Sequence, residues 1–457
     1  MRIVVLSGWL VLGLSGAALG ADLPTMPAKT PAMAVLAYDW TGLYAGINYG
    51  SALAQSDAHH SSALVYRGAD DIGRAGFTGG IQAGYNWQVN PNWLLGVEAD
   101  FGYLAAKRSF ADFNDPSVQL GVRPSWYGTV RGRAGYVAGP SLFYLTAGAA
   151  FVEVKQTFGS AAASPISHSG VETGWAAGGG IETKLSRNWS ATTEYLYIDA
   201  GSRNFASVLY GNPDTVTVNS RFHVLKSGIS YKFGGAPEPL PFFDSPMLNP
   251  VRDWAGFYAG VNLGGGVSST ATALRIDAIP SGEVDLNGGG FAGGVQAGYN
   301  VMLGSGWLMG VEADIGYLGI SHALAPWNDA NMRLSQKTDW YGTVRGRVGR
   351  STGPALLYLT AGAAFANVQT GFALAGAGAN AGTERAAGWT FGGGTEVALD
   401  ARWSAKLESL YMDLGRDTRA LSDGVDLYEV SFRRRFTVVR AGLNYRFGGD
   451  DAVSARY

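Results

Sequence analysis

The sequence predicts an all-β protein made of two tandem transmembrane barrels, each an antiparallel up-and-down ring of eight strands. Three observations predict it. The stretch 39–233 recurs as 253–447, hydrophobicity alternates with period two along the candidate strands, and long and short connections sort to opposite ends of each unit.

The repeat is the plainest feature. Asp39-Trp40-Thr41-Gly42-Leu43-Tyr44-Ala45-Gly46 returns as Asp253-Trp254-Ala255-Gly256-Phe257-Tyr258-Ala259-Gly260. Trp126 to Arg133 returns unchanged as Trp340 to Arg347, and Tyr144 to Phe151 as Tyr358 to Phe365. Every match is displaced by the same 214 positions, far beyond a solenoid period and fitting a duplicated domain.

Before the first unit, residues 1–20 read as a secretory signal: Arg2, then an apolar run from Val4 to Leu19, then small residues at Ala18 and Gly20. Residues 21–38 form a proline-containing lead. Residues 234–252 carry Pro237, Pro239, Pro241, Pro246 and Pro250 and read as an extended linker, and 448–457 as a tail. Beyond the signal there is no apolar run of the roughly 18 residues that a membrane helix needs.

Within a unit the faces separate strand by strand. Leu43, Ala45, Ile47 and Tyr49 oppose Tyr44, Gly46 and Asn48; Phe77, Ile81, Ala83 and Tyr85 oppose Thr78, Gln82 and Asn86. Leu95, Val97, Ala99, Phe101 and Tyr103 oppose Glu98 and Asp100, and Trp126, Val130, Ala134 and Tyr136 oppose Thr129, Arg131 and Arg133. Phe143, Leu145, Ala147 and Phe151 oppose Tyr144 and Thr146, and Trp175, Ala177 and Ile181 oppose Glu182 and Lys184. Ala191, Tyr195 and Tyr197 oppose Glu194, and Leu225, Ile229, Tyr231 and Phe233 oppose Lys226 and Ser230.

A half-buried soluble sheet also alternates, so the connections decide. Ala54 to Ala75, Ala106 to Pro124, Phe158 to Gly170 and Ala200 to Ser220 read as long loops on one rim. Gln88 to Asn92, Val137 to Pro140 and Ser186 to Asn188 read as tight turns on the other. That sorting belongs to barrels that span a membrane. Aromatic residues band at both strand ends: Tyr85, Trp93, Tyr136, Phe143, Trp189 and Phe233 near the turns, and Phe101, Tyr103, Trp126, Phe151 and Trp175 near the loops.

Charge follows the same register. A Lys or Arg facing lipid at mid-bilayer costs about 2–4 kcal/mol. The alternation turns Glu98, Asp100, Arg131, Arg133, Glu182, Glu194 and Lys226 inward, and likewise Glu312, Asp314, Arg345, Arg347, Glu396, Glu408 and Arg440 in copy two. These fourteen are the candidate site, read as an ion network filling a narrow lumen rather than as acid–base catalysts.

Trp40 to Gly46, Trp126 to Arg133, the closing Gly228-Ile229-Ser230-Tyr231-Lys232-Phe233 and the Ala21-Asp22-Leu23-Pro24 start resemble the alphaproteobacterial outer-membrane surface-antigen and porin-like family. The resemblance implies a small OmpA-like barrel in the outer membrane, twice over. It also implies a closing strand read by the barrel-assembly machinery, with Tyr231, Phe233, Tyr445 and Phe447 as its signal residues. Two departures stand out: the usual member has one barrel, and here Gly448 to Tyr457 follows the last strand.

Net charge is −2 and charged residues are 15% of the chain, which gives no nucleic-acid footprint. There is no cysteine, which excludes disulfides and thiolate chemistry. The His59-His60 pair reads as a solvated loop dyad, and no metal or cofactor is expected. No nucleophile elbow, phosphate loop or His-Glu-x-x-His occurs, so no enzyme is expected. The expected function is a porin-like or structural envelope protein in outer-membrane lipid. The alternative is a surface protein that captures ligands through its loops. Small solutes or surface ligands are the partners these readings allow. One sixteen-stranded barrel is the architectural alternative, and it would leave an aqueous channel.

Overall fold

In the computed structural model of the chain, every regular element among the described residues is a β-strand. The structure describes residues 38–62, 67–111, 118–160, 166–209, 212–234, 252–303, 306–325, 332–351 and 353–448. The expected signal segment, nearly all of the lead and of the linker, and all but the first residue of the tail lie outside them.

Copy one consists of β1 (Gly42–Ser62), β2 (Arg67–Gln88), β3 (Trp93–Leu104), β4 (Arg108–Ala111), β5 (Val118–Ala138), β6 (Ser141–Ser160), β7 (Ile166–Lys184), β8 (Trp189–Leu209) and β9 (Asn212–Lys232). β4 continues β3 after a break at Ala105–Lys107, so the ring has eight staves. Copy two consists of β10 (Gly256–Ile276), β11 (Ile279–Met302), β12 (Trp307–Leu324), β13 (Met332–Ser351), β14 (Ala355–Leu374), β15 (Gly378–Ala398), β16 (Trp403–Ser422) and β17 (Leu427–Arg446).

Each ring closes on itself. β9 pairs with β1 from Tyr44↔Lys232 to Ser62↔Asp214, and β17 pairs with β10 from Tyr258↔Arg446 to Ile276↔Tyr428. The fold is therefore two eight-stranded barrels. The sixteen-stranded alternative is overturned, because β9 spends its edge on β1 and keeps none for β10.

The expected long loops are mostly strand. β1 runs on to Ser62 and β2 begins at Arg67, so strand takes up most of the expected Ala54–Ala75 loop. β6 to β7 and β8 to β9 behave the same way. His59 and His60 consequently lie in β1 rather than in a loop. Alternation continues through these extensions, with small or branched residues inside: Ala52, Ala54 and Ala58 of β1 and Val216 and Val218 of β9 share one buried cluster. In copy two the β10–β11 hairpin closes on Asp277 and Ala278, with φ of 49° and 67°. Positive φ at both central residues is the primed turn that matches strand twist.

The outward face is apolar and exposed, as lipid contact requires. Leu145 is 74% exposed, and Leu43, Ile47, Ile81, Val130 and Phe101 are exposed as well. Aromatic pairs mark both ends of this band: Trp93–Tyr136 at 5.6 Å and Trp189–Tyr231 at 5.0 Å on one side, Phe101–Trp126 and Trp175–Tyr197 at 5.3 Å each on the other.

Candidate functional site

All fourteen candidate charges are buried inside the rings. In copy one, β3 and β5 pair Glu98 with Arg131 directly across the ladder, which puts opposite charges within side-chain reach. Arg131 Nη2 donates to Glu98 Oε1 at 2.7 Å and to Asp100 Oδ2 at 2.8 Å, and Nη1 lies 3.1 Å from Glu194 Oε1. Lys226 enters from β9, donating to Asp100 and lying 3.1 Å from Glu194. Arg133 Nη2 donates to Glu182 Oε2 at 2.8 Å, and its Nη1 to the Tyr44 hydroxyl at 2.7 Å. Tyr44 in turn donates to Glu98 at 2.6 Å, and Tyr144 to Glu194 at 2.8 Å.

Copy two repeats the arrangement with one added cation. Arg345 bonds Glu312, Asp314 at 2.8 Å and Glu408 at 3.0 Å. Arg347 Nη1 donates to Glu396 at 3.0 Å, while Arg440 Nη2 reaches Glu408 at 2.7 Å and Asp314 at 2.9 Å. Lys406 Nζ then donates to both oxygens of Glu312, at 2.9 and 3.0 Å. The equivalent of Lys406 in copy one is Thr192.

Sequence reasoning missed Lys406, and it placed Tyr44 and Tyr144 on the inward face without counting them in the network. An inward Tyr looks like any strand aromatic, but parity with Glu98 and Arg131 marks Tyr44 and Tyr144 as lumen residues. Lys406 was hidden because its repeat partner is uncharged.

Glu98, Asp100 and Glu194 lie close enough to share a cation. The cations they share are the Arg131 guanidinium and the Lys226 ammonium. Two cations thus sit among the three carboxylates and offset most of their charge.

In copy one, buried apolar layers flank the network on both sides. Below it, Trp40, Leu94, Val137, Leu142 and Tyr144 cluster. The repeated Asp-Trp-x-Gly motif builds this plug. Asp39 Oδ1 accepts the Thr41 N–H at 2.9 Å, Trp40 folds beneath the ring, and Gly42 at φ 136° lets the chain turn up into β1. Trp254 and Gly256, at φ 107°, do the same in copy two. Above the network, Leu104, Tyr127, Val152, Leu196, Ile198, Phe222 and Val224 fill copy one.

Of the closing-strand residues, the Tyr231 ring lies 5.4 Å from that of Phe233 and the Tyr445 ring 5.2 Å from that of Phe447, and each tyrosine meets a tryptophan edge-on at the turn end of the barrel.

A lipid-facing apolar band around a polar, buried interior defines a transmembrane β-barrel protein. The model of the outer membrane protein beta-barrel domain matches residues 22–233 and again 248–448, and the chain belongs to that family. It is similar to the 31 kDa outer-membrane immunogenic protein of Brucella melitensis biotype 1: 33% identity over 245 residues, covering 51% of this chain and 100% of the relative. It is also similar to the 25 kDa outer-membrane immunogenic protein of Brucella abortus biovar 1, at 30% identity over 237 residues, 51% of this chain and 99% of that one. A 22 kDa outer membrane protein of Rhizobium leguminosarum bv. viciae is 35% identical over 130 residues, covering 28% of this chain and 56% of the relative. Among solved structures, OprG of Pseudomonas aeruginosa aligns with 44% of this chain and 100% of its own at 12% identity and a TM-score of 0.30. The protein is thus an integral outer-membrane barrel of porin-like architecture, seated in the lipid of that membrane, and its named relatives are outer-membrane proteins.

Proposed function

We propose that this chain is a structural envelope protein whose two closed barrels anchor surface hairpins, and that it is neither an open solute channel nor an enzyme. One observation carries this reading: the lumen is filled through its height. The Trp40 layer, the ion network and the Leu104–Val224 layer follow one another in copy one, and the Trp254 layer, the ion network and the Leu318–Val438 cluster in copy two, with buried side chains at each level. An eight-stranded barrel has an interior only about wide enough for its own side chains, which supports a lumen too narrow for a continuous water file.

In this reading the fourteen charges are a structural plug. Signal cleavage after Gly20 and recognition of Tyr231, Phe233, Tyr445 and Phe447 by the barrel-assembly machinery belong to its biogenesis. The extended hairpins are the parts that reach past the membrane. The word immunogenic in the relatives' names supports their display at the surface.

Planar-bilayer recording of the refolded full-length protein tests the proposal. Silence, or only brief small openings, is expected. Steady large channels would overturn it.

A further inference from the structure

Most outward side chains of the two barrels are exposed, but one group is not. Ser141, Ile181, Thr183 and Thr193 of copy one and Ala355, Thr395 and Val397 of copy two all point away from their own lumens, yet they are buried. Near the loop rim the outward Asp285 is only 1% exposed. A hydroxyl or carboxylate facing hydrocarbon is costly, so these positions need a partner.

The partner is the other barrel. Thr193 Oγ1 lies 2.7 Å from Thr395 Oγ1. Ile181 packs with Ala355 and Val397, and Phe143 and Leu407 lie against the same cluster. Phe143 is therefore not a lipid-girdle residue, as its sequence position implied. At the other rim, Arg108 of β4 forks Asp285 of β11 with two bonds of 2.9 Å and reaches Glu283 at 3.1 Å. There the backbones of Asp71 and Asp285 pair.

The 214-residue shift turns these contacts into a symmetry. Asp71 is the repeat equivalent of Asp285, Ile181 of Thr395, Thr193 of Leu407, Ser141 of Ala355 and Thr183 of Val397. Both barrels use the same patch, which is the signature of a closed two-fold interface. The copies have also exchanged polarity within it. Pairing copy one with copy two joins Thr193 to Thr395 and places Leu407 in the Ile181 cluster. Pairing copy one with another copy one would set Thr193 against Ile181 twice. Pairing copy two with itself would set Thr395 against Leu407 twice.

We infer that the duplicated barrels form a pseudo-two-fold pair within the membrane, through a patch matched for copy one against copy two and mismatched for either copy against itself. Lateral association in lipid gains little from hydrophobicity and depends on close packing and on satisfied polar groups. The hydroxyl pair therefore acts as a specificity element. Because the patch is used up inside the chain, assembly stops at one molecule.

The chain has no cysteine, so introduced thiols are the only ones present. Thr193→Cys with Thr395→Cys, oxidised in intact outer membranes, is expected to close a disulfide in most molecules. With a protease site placed in the 234–252 linker, the cut halves should stay joined on a non-reducing denaturing gel and separate on reduction. Asp71→Cys with Asp285→Cys, whose backbones pair across the two barrels, gives a second, independent pair at the other rim. Thr193→Cys with Val344→Cys, the latter outward and 58% exposed, is the control. Cross-linking of the two interface pairs no better than this control would overturn the inference. Abundant disulfide dimers between molecules carrying Thr193→Cys alone would do so too.

Discussion

Replacing Arg131 with methionine tests whether the lumen is a dry ion network or a hydrated passage. The Arg131 side chain is 0% exposed and lies 2.7, 2.8 and 3.1 Å from Glu98, Asp100 and Glu194. Methionine keeps much of the volume and removes the charge. Four buried carboxylates would then share Arg133 and Lys226. Breaking a buried network by removing one partner costs about 3–5 kcal/mol, because the charges left behind are uncompensated. An exposed pair of the same geometry is worth only about 0–1 kcal/mol. The full-length protein, refolded in detergent, can be titrated with guanidinium and followed by heat-modifiable gel mobility, which separates folded from unfolded barrels. A destabilisation of about 3–5 kcal/mol corresponds to a shift in the folding equilibrium of roughly a hundred- to several-thousand-fold. Adding Glu98→Gln to Arg131→Met should recover part of the loss, since it removes one stranded charge. A loss below about 1 kcal/mol would refute the reasoning, because it would mean that water already screens these groups.

Other outcomes follow from the same geometry. Thr192→Lys should raise the thermal midpoint of the first barrel by supplying the ammonium that Lys406 gives Glu312, an effect a melting series with Thr192→Met as control would show. Gly84→Val should destabilise by at least about 1–3 kcal/mol in the same titration, since a Cβ there would meet the Tyr44 hydroxyl and the Val97 carbonyl at 2.5 Å. Phe447→Ala should slow assembly in vivo without changing the folded barrel's melting, read by pulse-chase against the mature protein's midpoint. In the β15–β16 turn, the N–H groups of Trp403 and Arg402 hold the Asp400 carboxyl below its usual range. Its contribution is therefore present above the unfolded value near 3.8 and lost as pH falls through the lowered folded value, so Asp400→Asn should flatten the acid limb below about pH 4.

Strand faces and inward charges were legible because period-two alternation and a copied domain each constrain register independently. Glu98 and Arg131 can face each other only if β3 and β5 pair as they do. Hairpin extensions were less legible. Stretches such as Ala52 to Ala58 carry small residues inside and several polar ones outside, so their alternation has low contrast and reads as loop. The barrel-to-barrel patch escaped for a different reason. Thr193 and Thr395 are ordinary strand residues, and their meaning depends on a partner surface 202 positions away.

In the proposed reading the charges serve specificity more than stability. A well-packed apolar lumen of the same volume would be as stable or more so, since desolvation offsets much of what buried ion pairs contribute. But a barrel that is apolar outside and apolar inside has two near-equivalent registers, and a one-residue slip inverts every side chain. With Arg131, Arg133 and Lys226 in place, that slip would put three cations of copy one into lipid, at about 2–4 kcal/mol each near the midplane and so roughly 6–12 kcal/mol together. The network thus penalises the inverted barrel by about as much as a whole domain's stability. This explains why both copies keep the same carboxylate positions while Thr192 and Lys406 differ: the face assignment needs several charges inside, but it does not need exact neutrality.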